Sequence, residues 1–120
     1  MARVLVADDN RQLVEMLRAT LEDAGFDVVA AYSGLAAAAL IEREEVHLLI
    51  LDVLMPGVSG DAVADLLHEL KPHVPVLLMT GDYSDQFAQS AGRPWLRKPF
   101  TEQELIHAVG ELLPARPDTA

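Results

Sequence analysis

The sequence contains no cysteine, which excludes disulfide bonds, thiol catalysis and cysteine-ligated zinc. Glycine and proline contribute only seven residues each, too few for a collagen-like or low-complexity chain. Basic residues are also scarce: 9 Lys and Arg against 19 Asp and Glu give a formal charge of −10. A field of that sign repels phosphate backbones and anionic lipids, so direct nucleic-acid and membrane-surface binding are not expected. Clustered carboxylates would instead attract a divalent cation or a basic partner. No apolar run approaches membrane-spanning length, and the opening Met-Ala-Arg-Val-Leu-Val has no signal-peptide layout. What is present is a chain of 120 residues, 51% hydrophobic, long enough for one real core. The expectation is a cytoplasmic, acidic single domain.

Four short apolar runs stand out: Val4–Ala7, Val28–Ala31, Leu48–Leu51 and Val76–Met79. They are too short for helices, and they are apolar at every position, the pattern of parallel strands covered on both faces. Trp95–Arg97, between Pro94 and Pro99, is a shorter fifth candidate. Helical stretches separate these runs. Arg11–Ala24 spaces Leu13, Met16, Leu17, Thr20 and Leu21 helically and meets a stop at Gly25. Ser33 is placed to cap a helix reaching Glu44, and Ser59 or Gly60 precedes one ending at Leu70. Ser84 would open a short helix to Ala91, and Thr101 with Glu104 forms a capping box for Glu102–Leu113. Five strands alternating with five helices predict an α/β fold with a parallel sheet.

In open parallel sheets, sites form beyond the carboxyl ends of the strands. Asp8 and Asp9 follow the first strand, Asp52 the third, Thr80 the fourth, and Lys98-Pro99 the fifth. Structural roles explain some of these singly, since Asp and Thr suit loops and caps. They do not explain three carboxylates, a hydroxyl and an ammonium on one edge, because close carboxylates repel one another. A hard cation such as Mg²⁺ resolves that conflict. One carboxylate is then able to act as a nucleophile toward phosphorus.

Asp8-Asp9, Leu49-Ile50-Leu51-Asp52 with Met55-Pro56-Gly57 and Gly60, Thr80-Gly81, and Lys98-Pro99-Phe100 together resemble the receiver domain of two-component response regulators. The resemblance runs from Arg3 to Leu113 and implies a flavodoxin-like doubly wound (βα)5 sandwich with strand order 2-1-3-4-5. It implies a receiver domain over 1–113 and a flexible tail or linker stub over 114–120. It makes Asp52 the phosphoacceptor, receiving its phosphoryl group from a phosphohistidine of a sensor histidine kinase or a histidine phosphotransfer protein. Asp8, Asp9, Asp52 and the Leu54 carbonyl would hold Mg²⁺ or Mn²⁺. Lys98 would contact the Asp52 carboxylate and then the phosphoryl oxygens, while Thr80 would donate a hydrogen bond to them. Trp95 matches the position of the switch aromatic, and the Lys98–Pro99 bond is expected cis. Phosphorylation-dependent self-association belongs to the same set of implications.

The sequence departs from the family pattern in three places. The stretch from Thr80 to Lys98 is a few residues short, which implies a fourth helix lacking about a turn. Trp95 is bulkier than the usual Tyr or Phe and carries no hydroxyl. Leu54 is apolar and Asp82 acidic, at two positions that influence phosphoryl lifetime in the family. On this reading the domain is not an enzyme beyond taking up and slowly losing its own phosphoryl group. The alternatives are a receiver-like interaction module indifferent to phosphorylation and a small haloacid-dehalogenase-type phosphatase. The latter requires an acidic residue where Leu54 stands. The four histidines have no metal-pair spacing and read as surface or boundary residues. Glu42, Glu44 and Glu45 form an exposed run without an assigned partner. The Ala36–Ala39 run reads as close helix–sheet packing, and Leu13, Val14 and Leu17 as core or as a phosphodonor contact.

Overall fold

The computed structural model describes residues 2–53, 55, 57–81 and 93–113. The described strands are β1 (Arg3–Ala7), β2 (Asp27–Ala31), β3 (Leu48–Asp52), β4 (Val76–Thr80) and β5 (Trp95–Arg97). They form one parallel sheet in the order β2-β1-β3-β4-β5. The described helices are α1 (Arg11–Asp23), α2 (Gly34–Arg43), α3 (Gly60–Leu70) and α4 (Glu102–Leu112). The last corresponds to the predicted fifth helix. The predicted short helix from Ser84 and the tail over 114–120 lie outside the described residues. Among the described residues, no helix is long and apolar enough to cross a membrane.

Strand alternation sends side chains to two separate cores. Leu5, Ala7, Leu49, Leu51 and Leu78 pack with Ala37 and Ile41 of α2 and with Val63 and Leu67 of α3. Val4, Val6, Leu48, Ile50 and Met79 pack on the other face with Val14, Leu17 and Leu21 of α1 and with Leu105 and Val109 of α4. This two-sided burial is why the central strands read as unbroken apolar runs.

The helix ends follow local chemistry. Asn10, Ser33, Ser59 and Thr101 each accept a backbone N–H of the first turn, and Thr101 and Glu104 complete the capping box. At the end of α1, Gly25 takes a positive φ of 98°. Its N–H bonds the Glu22 carbonyl at 3.0 Å, and the Phe26 N–H reaches Leu21 at 3.0 Å. These are the two bonds of a Schellman stop.

Several details depart from the sequence reading. Met16 is 52% exposed, whereas Val14 and Leu17 are buried, so core packing accounts for those two apolar residues. Of the Ala36–Ala39 run only Ala37 is buried; Ala36 and Ala39 face solvent, because one helical face alone meets the sheet. The glutamate run does find partners: Glu44 pairs with Arg3 at 2.9 Å and Glu45 with His47 at 3.5 Å. Arg3 also pairs with Asp27 at 2.8 Å, and its N–H donates to His47 Nδ1 at 2.8 Å. These contacts tie β1, β2 and the chain beyond α2 at the amino end of the sheet.

Candidate functional site

The opposite, carboxyl end gathers the polar residues. β3 and β4 run one residue past their apolar runs, to Asp52 and Thr80. Backbone pairing sets that limit: Asp52 stands opposite Met79, and Thr80 opposite Arg97. The ladders continue a step further. The Asp8 N–H donates to Ala31 at 3.1 Å, Val53 to Met79 at 3.1 Å, and Lys98 to Thr80 at 2.7 Å. Asp8 and Lys98 are thus held by sheet-like bonds although neither belongs to a strand, and Asp52 lies inside one.

Asp8, Asp52 and Thr80 are the buried polar residues of the described chain. Asp8, Asp9 and Asp52 each offer a carboxylate oxygen, all within 4.8 Å of one another, with Asp9 exposed. Lys98 Nζ lies 2.8 Å from Asp8 Oδ2 and 3.6 Å from Asp52 Oδ2. The other Asp8 oxygen accepts the Asn10 N–H at 2.9 Å. One ammonium against three carboxylates leaves the cluster net negative. All-oxygen donors with one solvent-facing member fit a hard divalent cation that retains water.

The loop after Asp52 is held by the start of α3. The Gly60 N–H donates to Val53 at 3.2 Å. A Cβ on Gly60 would strike the Asp52 carbonyl oxygen and lie 2.9 Å from Val53 Cα. The colliding atoms are backbone and have no rotamer to change. Gly60→Ala should therefore lower stability by about 2 kcal/mol, seen as a fall in Tm of about 8 °C. A variant melting with the wild type would mean that this loop shifts freely.

Of the other expected site residues, Trp95 is half-buried opposite Leu78 and packs toward the α2–α3 core. The Lys98–Pro99 peptide bond is cis. Leu54 lies outside the described residues. Three features of the described chain were not anticipated. Asn10 caps α1 and bonds Asp8; its position two residues after an Asp is the signal that could have found it. The Arg11 guanidinium lies 4.1 Å over the Tyr32 ring, and the Tyr32 hydroxyl donates to Glu15 at 2.8 Å. Arg93 pairs with α3, a contact with no local sequence signal.

The chain is similar to the response regulator FleR of Pseudomonas aeruginosa, with 38% identity over 92% of this chain and 25% of the relative. It is 34% identical to the transcriptional regulatory protein CpxR of Klebsiella pneumoniae, over 94% of this chain and 50% of that one. This chain thus spans between a quarter and a half of the length of these two curated relatives. Among solved structures, a response regulator receiver protein from Sinorhizobium medicae matches with TM-score 0.87 and 31% identity, over 95% of each chain. The response regulator TrrA of Thermotoga maritima, solved in complex with Mg²⁺ and BeF, matches with TM-score 0.86 and 30% identity. That match covers 94% of this chain and all (100%) of TrrA. Residues 4–110 match the family model of the response regulator receiver domain, and the chain belongs to that family.

Proposed function

We propose that Asp52 is the phosphoacceptor, and that a sensor histidine kinase or a histidine phosphotransfer protein is the donor. The observation that carries this reading is Lys98 Nζ, set between two buried carboxylates that share a cluster with exposed Asp9. An Asp52 oxygen attacks phosphorus; the P–N bond of phosphohistidine breaks, and its electron pair stays on the imidazole nitrogen. The aspartyl phosphate then carries the phosphoryl group. Asp8, Asp9, Asp52 and the Leu54 carbonyl would hold Mg²⁺ or Mn²⁺. When bound, the cation supplies charge neutralisation for the transferring group. Lys98 adds positive charge at the phosphoryl oxygens, and the Thr80 hydroxyl donates to them.

The charge and acceptors added at Asp52 would shift an existing equilibrium. Thr80 closes β4 beside β5, which carries Trp95, so these two residues are assigned to the switch. The domain acts as a phosphorylated relay in the cytoplasm and has no turnover beyond its own phosphoryl group. Self-association on phosphorylation is part of the same reading.

The test is intact mass after incubation with acetyl phosphate and Mg²⁺. One phosphoryl group should be added, and none in the presence of a chelator. If no mass is added and Mg²⁺ with beryllofluoride leaves Trp95 fluorescence unchanged, the domain is an interaction module instead. Turnover of a phosphate ester would point to a phosphatase. Binding of Mg²⁺ to the folded state alone should also raise Tm. At ten times the dissociation constant the gain is about 1.4 kcal/mol, or about 5 °C. A Tm indifferent to millimolar Mg²⁺ would refute cation binding.

A further inference from the structure

Asp61 and Asp65 lie one turn apart on α3, a spacing at which like charges repel. Arg93 answers both: Nη2 lies 3.1 Å from Asp65 Oδ1 and Nη1 3.6 Å from Asp61 Oδ1. Its side chain is 24% exposed, the most covered of the three. Arg93 immediately precedes Pro94, whose carbonyl accepts the Leu78 N–H at 3.0 Å and so sets where β5 enters the sheet. Trp95 comes next. Between α3 and this entry lies a cavity of about 190 Å³, with Ala64, His68, Val76 and Pro94 in its wall. Arg93 itself forms part of that wall, beside its ion pairs to α3. At this same end α3 begins at Gly60, pressed against the backbone of Asp52 and Val53. The first two turns of α3 therefore touch the candidate phosphoacceptor loop on one side and the Trp95 edge on the other.

We propose that Arg93 is a positioning residue that couples the Asp52 loop to the Trp95 edge through α3, by an electrostatic clamp distinct from the Thr80 route. The affinity part of this inference rests on the reading of Asp52 given above; the clamp itself does not.

Trp95 is the single tryptophan of the chain and reports the edge directly. In Arg93→Gln, acrylamide quenching of Trp95 should rise about twofold, and affinity for beryllofluoride with Mg²⁺ should weaken about threefold, the range of a partly exposed ion pair. The reversed pair, Arg93→Asp with Asp65→Arg, should restore both readouts, which a general loss of folding would not allow. High salt should raise quenching in the wild type and leave Arg93→Gln unchanged. Wild-type quenching in Arg93→Gln, or failure of the reversed pair to restore it, overturns the clamp. Wild-type affinity for beryllofluoride in Arg93→Gln overturns the coupling. A wild type without any beryllofluoride response refutes the reading of Asp52 instead, while the quenching arms still decide the clamp.

Discussion

Asp52→Asn should take up no phosphoryl group from acetyl phosphate and Mg²⁺ while keeping the wild-type fold. The amide nearly matches the carboxylate in shape, so the β3 pairing with Met79 and the surrounding packing persist. Its oxygen lacks the charge that makes a carboxylate nucleophilic toward phosphorus. Stability gives an independent reading of the same change. The wild-type cluster sets three carboxylates against the Lys98 ammonium, and removing one negative charge relieves repulsion. In chelator, Tm should therefore equal or exceed that of the wild type. In Mg²⁺ the stabilisation should shrink, because a ligand charge has been lost. Intact mass and thermal melts with and without Mg²⁺ check both halves. Labelling of the variant at wild-type stoichiometry would move the acceptor elsewhere.

Lys98→Met should be the most destabilising change at this end of the molecule. The Asp8 side chain is 1% exposed, and the Lys98 ammonium lies 2.8 Å from it. Methionine keeps most of the stem volume and removes the charge. Asp8 would retain the Asn10 N–H but lose its ammonium, leaving a buried carboxylate beside Asp52. Breaking a buried pair in this way costs about 3 kcal/mol or more. Urea unfolding in chelator should show that loss. Mg²⁺ should recover part of it, because a bound cation supplies positive charge to the same carboxylates. On the role proposed for Lys98, phosphorylation by acetyl phosphate should slow at least about tenfold, the loss of one charged group at the transferring phosphoryl. Wild-type stability of this variant in chelator would mean that Asp8 does not depend on Lys98.

Most of the architecture was legible because both faces of the sheet are covered. Leu48–Leu51 and Val76–Met79 could only be strands in such a sheet, and the caps at Ser33, Ser59 and Thr101 are local signals that chain neighbours satisfy. The polar edge was legible for a related reason: each chemical residue sits where a strand ends, so finding strands located the cluster. The unread part is long-range and electrostatic. Arg3 meets Glu44, and Arg93 meets Asp65, across sequence separations of 41 and 28 residues. No periodicity encodes which acid a given arginine reaches. For Lys98 the sequence indicated Asp52 as the contact. The described geometry adds a shorter approach to Asp8, set by where the side chain extends from the end of β5.

β5 has only three residues, none of them buried, whereas every residue of β3 is buried. The sheet therefore has a hard half and a soft half. Opening the β5 edge uncovers only the partly buried Trp95 and Leu96; opening β1 or β3 dismantles both cores at once. Amide protons of β1 and β3 should accordingly exchange with solvent only through global unfolding, and those of β5 through a cheaper sub-global opening. Because Lys98 follows directly on that soft edge, the ammonium facing the carboxylates is carried by a part of the sheet that can rearrange without melting the rest. A fold so arranged can be stiff where it stores stability and compliant where it reads charge.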